Sequence, residues 1–497
     1  MKTAAVWTVG AILAVLAGQA EAQDVGREGA LRLSFEPLEF HPPEPTEHVL
    51  SNGVHVFHLE DRTLPLMTVS ARFRGGPSKF PRAYFAAAAA LPSLLRSGGT
   101  TALPPDSLDA LMELYAISTS FGGGGEASFA SVNTLTRHLD VALDLLGDML
   151  KRPRFDSALV EVWRGQRLEG VRRNNDNPGS LSFSAFNRLM YGDHPIGWEM
   201  NASDLEPEDL SRDRLEWVHQ RVICPDNLIL GVTGDVPWED MLPRVERLVA
   251  GLPSCADPLP RTPIPTIRQE PGVFLIPRTL DQSTVVMAHV ADVRREDDPA
   301  YYASRIGNSI LGSGGLSSRL MERVRSEKGY AYSASSLWTT PVTHDGLVGA
   351  ITQTKSGTTV AAIRLILSTM DEMTVSPPSS EEVRRSVDQI VNGFVFNFES
   401  PAQIVSRRIT LRMERLPDDW LERYLAGIQD VSPDDIRQVF SRHVDPDQMI
   451  ILVVGDPEAL DEPLENLGPV TVLRIPGRGT TLSDTTLSPR GGRRSLR

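Results

Sequence analysis

The chain has 497 residues, more than one ordinary hydrophobic core serves, so two or more domains are expected. Its 41% hydrophobic and 23% charged content is that of a globular protein rather than a disordered or fibrous one. Sixty-four acidic against 50 basic residues leave a formal charge of −14, which argues against nucleic acid as the main partner.

Lys2, an apolar run from Ala4 to Ala17 and the small-x-small triplet Ala20-Glu21-Ala22 read as a secretory signal peptide over residues 1–22, cut after Ala22. A periplasmic or secreted protein is therefore expected. No cysteine follows the cut, so a lipid anchor is not expected, and no later apolar run reaches the roughly 18 residues of a membrane span. Residues 23–44 are polar and proline-bearing and read as a flexible lead-in.

Ser51-Asn52-Gly53 is a turn before a strand at Val54–Leu59, and Leu66–Phe73 reads as its hairpin partner. His55 and His58 are three apart, hence on opposite strand faces, and read as structural. A helix spans Ala83–Arg96 and closes at Gly98-Gly99-Thr100; a second covers Leu108–Tyr115. The four glycines Gly122–Gly125 have no Lys-Ser/Thr after them, which sets aside a phosphate loop. Glu126–Ala130 is a candidate edge strand. Glu126, Ala127 and Ser128 would there pair with an extended peptide; an ordinary interior strand is the alternative. Amphipathic helices are expected at Leu135–Leu150 and Ser157–Arg173, with His138 solvated or capping and Glu161 and Glu169 as solvated charges. His194, in the loop Met190–Gly197, reads as structural, and Val222–Asp235 as a buried strand.

Six prolines between 253 and 271 mark a linker and a domain boundary. An export compartment would let Cys224 and Cys255 pair. The preferred reading is one buried thiol and one linker thiol, and Cys224, before a proline on a buried segment, is no nucleophile.

Beyond the linker the pattern repeats. Gly272-Val273 opens a strand as Gly53-Val54 does, at an offset of 219. Asp447 in Pro446-Asp447-Gln448 matches Asp226 in Pro225-Asp226-Asn227, at an offset of 221, and Tyr301-Tyr302-Ala303 starts a helix as Ala83-Tyr84-Phe85 does. The expected fold is α+β: two homologous α/β-sandwich halves over residues 45–252 and 272–475. A Gly/Ser/Thr-rich, arginine-bearing tail at 476–497 reads as disordered.

The stretch Leu311–Tyr332 carries the functional signal. A glycine-rich turn precedes Ser317 and Ser318, which can cap a helix whose apolar stripe is Leu320, Met321 and Val324. Gly329 stops that helix and a strand follows. Arg325 and Tyr332 flank the corner, where a guanidinium and a phenol O–H could aim at one carbonyl oxygen. Read locally, they are equally a surface arginine and a half-buried strand tyrosine. The leucine-glycine turn, the Ser-Arg-Leu helix start and an arginine and a tyrosine seven positions apart resemble the second-half signature of the insulinase-like (M16, pitrilysin-type) metallopeptidases. The resemblance extends over roughly residues 45–475. It implies halves of the M16/LuxS-like metallohydrolase type facing each other across a chamber, with Arg325 and Tyr332 holding a peptide opposite a zinc site.

That zinc site is degenerate here. The family carries His-x-x-Glu-His shortly before a Gly-Thr pair. Counting back from Gly99-Thr100 puts Ala90 and Leu94 at the histidine positions and Ser93 at the base. Counting back from Asn177-Pro178 puts Gly170 at the distant carboxylate, with Glu169 beside it. None of these four side chains ligates zinc, and one carboxylate alone cannot hold it. No metal is therefore expected in this chain. The resemblance is to the non-catalytic subunit of heterodimeric M16 proteins, in which a partner brings the zinc and this chain brings the arginine and tyrosine to a peptide substrate. The alternatives are an autonomous zinc metalloendopeptidase with an unrecognised metal site, discriminated by metal content, and a peptide-binding or assembly scaffold without catalysis, discriminated by the effect of changing Arg325 and Tyr332.

Overall fold

The computed structural model describes residues 42–268 and 270–474. The expected signal peptide, most of the lead-in and the tail at 476–497 lie outside the described residues. Among the described residues twelve strands form two six-stranded sheets. The first contains β1 (Thr46–Val49), β2 (His55–Glu60), β3 (Leu66–Arg74), β4 (Ser118–Gly124), β5 (Ala127–Leu135) and β6 (Leu228–Gly234), in the order β1-β2-β6-β3-β5-β4. The second contains β7 (Gly272–Pro277), β8 (Gln282–Ala291), β9 (Ala331–Trp338), β10 (Gly346–Lys355), β11 (Ile450–Gly455) and β12 (Val470–Val472), in the order β12-β7-β11-β8-β10-β9.

The two orders are one topology used twice, as the repeat predicts. β6 pairs parallel to β2 and antiparallel to β3, and β11 stands in the same relation to β7 and β8. This corrects the expected hairpin: β2 and β3 are not neighbours, because β6 inserts between them. β6 is buried at every position. A strand apolar on both faces is stable only inside a sheet with both faces covered, so it takes the centre.

Each sheet buries one face under helices of its own half. Val69, Ala71 and Phe73 of β3 pack with Leu91, Leu94 and Leu146; Val285 and Met287 of β8 pack with Ile363, Met370 and Phe440. The opposite faces are covered by exchange. The first-half helix Pro178–Tyr191 lays Leu181, Ala185, Phe186 and Met190 on Phe274, Val286 and Leu452 of the second sheet. The second-half helix Pro401–Glu414 lays Val405 and Ile409 on Phe57 and Ile229 of the first. Gly231 of β6 permits this approach: a Cβ there would lie 2.6 Å from Val405 Cγ1 and 2.9 Å from Ile409 Cδ1. Both helices open on proline after a capping Asn177 or Ser400.

Two further expectations are adjusted. The helix Ser157–Asn174 has no fully buried residue, and its apolar stripe of Val160, Trp163, Leu168 and Val171 is only half-buried against the first core. Cys224 and Cys255 form a disulfide with Cα atoms 5.1 Å apart. The linker folds back on the helix end at Val222 instead of standing free, and that brings the second thiol to the first.

Candidate functional site

The stretch after the helix Pro299–Asn308 makes a glycine turn and then the short helix 319–327, which widens to π register over Met321–Glu327. Leu320, Met321 and Val324 anchor it in the core. Its outer side is clamped by ion pairs: Arg319 to Glu382 at 2.7 Å and Arg323 to Glu372 at 2.7 Å. Burial opposes charge on Glu382. The Arg319 guanidinium and the N–H and hydroxyl of Ser379 outweigh it and hold the carboxyl down at about 2. Ser318 precedes the helix, but its hydroxyl donates to the Gly315 carbonyl (2.7 Å) instead of capping. Gly329, at φ +63°, reverses the chain, and the Tyr330 N–H reaches the Val324 carbonyl at 2.9 Å.

This corner brings Arg325 and Tyr332 together. The guanidinium carbon lies 5.0 Å from the Tyr332 ring centroid, a cation–π contact. Tyr332 is 80% exposed at the start of β9, and among the described residues no carboxylate pairs with Arg325. Five guanidinium N–H donors and one phenol O–H thus stand at the surface, pre-set by a contact that costs neither its polar groups. π turns of this kind recur at functional sites.

The positions matching the family's metal motif are elsewhere and chemically different. Ala90 and Leu94 are 0% exposed, packed in the first core on the helix Phe85–Ser97. Ser93 is half-buried, and its carbonyl accepts from the Ser97 hydroxyl at 2.9 Å. Gly170 is exposed, and a Cβ there would meet nothing within 4 Å. Glu169 pairs with Arg173 at 2.8 Å and Glu161 pairs with Arg164. Among the described residues no group of three His, Cys, Asp or Glu could hold a metal. Zinc needs at least three lone-pair ligands, and the side chains at these positions do not fit it.

Beside Ala89 and Gly170 lies a cavity of about 700 Å³, closed by Glu126 and by Thr343 and His344 of the second half. Burial pushes His344 down, and His194 and Arg294 add to that. No motif in the loop between β9 and β10 announces His344; only the fold brings it there. Tyr332 lies at the start of β9, and His344 lies in the loop beyond its other end, before β10. The edge-strand expectation is corrected as well. β5, which holds Ala127 and Ser128, is paired on both sides, to β3 and β4, so the edge is β4. Glu126 sits in the hairpin turn, ion-paired to Lys79 at 3.0 Å.

Two sheets of one topology, with helices exchanged between them, make a fold that this chain shares with solved M16 structures. The profile of the Peptidase M16 inactive domain matches residues 209–390. An uncharacterized zinc protease of Streptomyces coelicolor is 27% identical over 314 residues, 61% of this chain and 67% of that one. A Helicobacter pylori protein named as the non-peptidase homolog YmxG is 20% identical across 81% of this chain and 92% of its own length. A crystal structure of a peptidase M16 inactive domain from Pseudomonas fluorescens superposes with a TM-score of 0.75 at 22% identity, covering 83% of this chain and 98% of that one. Several mycobacterial relatives named as uncharacterized zinc proteases are matched over 46% of their length. The chain is thus similar to M16-type peptidases in part of its sequence and in its fold.

Proposed function

We propose that this chain is the non-catalytic subunit of a heterodimeric M16 peptidase, giving Arg325 and Tyr332 to a zinc site held by a partner chain. The observation that carries the reading is an asymmetry of exposure and chemistry. The donor pair is preassembled, unpaired with acid and turned to solvent, while the motif positions of this chain hold alanine, serine, leucine and glycine. A zinc ion held by the partner would supply the activated water. Arg325 and the Tyr332 hydroxyl donate to the carbonyl oxygen of the bound peptide as negative charge grows on it, a role that needs a shared chamber but not a shared chain. Export to the periplasm is part of the proposal, and the Cys224–Cys255 disulfide supports it, since such bonds persist in oxidising compartments.

The test is kinetic. In the assembled complex, Arg325→Ala lowers kcat/KM by about 10²-fold and Tyr332→Phe by a smaller factor, with no change in the melting temperature of the chain. Unchanged kinetics for both variants would remove the functional role. They would favour the second reading, a peptide-binding or assembly scaffold, to which the name of the non-peptidase relative lends support.

A further inference from the structure

A second cluster, independent of the Arg325–Tyr332 pair, lies where the exchanged helix Pro401–Glu414 ends against the first sheet. β3 alternates, with Met67, Val69, Ala71 and Phe73 buried toward the core, so its last residue, Arg74, falls on the opposite face, under that helix. Arg412, in the last turn of the helix, and Arg415, just after it, line the same cavity as Arg74, a space of about 330 Å³ shared with His55 and Asp226. Arg415 holds a left-handed backbone conformation, φ +61° and ψ +33°, which is uncommon for a residue with a Cβ. The helix stop thus spends an arginine where glycine or asparagine is the ordinary choice.

These cations have few acid partners, although the Asp226 carboxylate lines the same cavity. Among the described residues no carboxylate pairs with Arg74 or Arg415. Arg412 reaches only Glu47, at 3.6 Å, and that carboxylate is already engaged by His55 Nδ1 at 2.6 Å. Burial pushes Arg74 down, and Arg415 and Arg412 push it further, so the three charges feel one another. Elsewhere on the surface Arg384 and Arg423 each hold two carboxylates, in a chain with 14 more acids than bases.

We propose that Arg74, Arg412 and Arg415 form a binding site for a multivalent oxyanion of the phosphate class, bridging the two halves. Convergent guanidinium forks offer more donors than one carboxylate accepts, and a tetrahedral oxyanion presents lone pairs in several directions. A second cavity shares Arg74, Arg415 and the Asp226 carboxylate with the first and adds Arg261 and the Glu126-paired Lys79, which leaves room for more than one phosphoryl group. Because Arg74 belongs to the first half and Arg412 and Arg415 to the second, binding ties the exchanged helix to the sheet it covers, and the bound form gains stability by mass action.

The probe is inorganic pyrophosphate, titrated calorimetrically into the full chain at low ionic strength. Saturable binding of one equivalent is expected, with a rise in melting temperature. Arg74→Gln and Arg415→Gly, the latter keeping the left-handed turn, each weaken it at least tenfold. Arg384→Gln, on the exposed helix Ser380–Phe394, leaves it unchanged. Absence of saturable binding, or equal weakening by Arg384→Gln, overturns the proposal. Should Arg415→Gly fail to fold, Arg74→Gln alone decides. Sedimentation with phosphatidic acid vesicles, displaced by pyrophosphate, would assign the phosphate to a lipid headgroup; no sedimentation would assign it to a free oxyanion.

Discussion

Arg325 is positioned by residues it does not touch. Its helix turn is held down by Arg319 on Glu382 and Arg323 on Glu372, so the cation–π contact with Tyr332 inherits its geometry from two carboxylates about fifty residues further along. Glu382 also closes the capping box with Ser379 at the start of the helix Ser380–Phe394. Its pKa is depressed from an ordinary 4.5 to about 2. The stabilisation it gives is therefore present above pH 4.5 and lost as pH falls toward 2. Glu382→Gln should cost about 2 kcal/mol in urea denaturation at pH 7, and the gap from the parent protein should close near pH 2. A gap independent of pH would contradict this account of the clamp. The Arg325–Tyr332 spacing was legible in the sequence because helix stop, glycine and strand are consecutive. The clamp was not, because Glu372 and Glu382 reach it only through tertiary packing.

Elements were read well where one periodicity ruled them and poorly where a distant strand intervened. The strands 54–59 and 66–73 are each present, but their pairing is decided by β6, some 170 residues downstream, whose burial on both faces claims the centre of the sheet. A local turn signal cannot report such an insertion. The exchanged helices were equally hidden: each shows an apolar stripe, and nothing in the stripe says whose sheet it covers. Their packing makes a prediction. Ile409 is fully buried against the other half's sheet, so Ile409→Ala should lower the unfolding free energy by about 2–4 kcal/mol. Gly231→Val, which puts side-chain atoms where Val405 and Ile409 already stand, should be worse. A loss under about 1 kcal/mol for Ile409→Ala, read from denaturant midpoints, would mean that the helix does not hold the halves together.

At the scale of the whole molecule the internal repeat was the most informative feature, since offsets of 219 and 221 residues in the sequence become one sheet topology used twice. The disulfide was the less favoured of two readings: two cysteines 31 residues apart do not decide between pairing and separate thiols until the linker is seen to fold back. The cavity beside Gly170 was also invisible, because its second-half lining, Thr343 and His344, reaches it only through the fold. The most direct measurement is zinc content and peptide cleavage of the purified full-length chain, alone and mixed with a separately purified zinc-bearing M16 subunit from the same organism. The account predicts no stoichiometric zinc and no cleavage by the chain alone, with cleavage greatly raised in the mixture. One zinc per chain, with chelator-sensitive cleavage by the chain by itself, would contradict it.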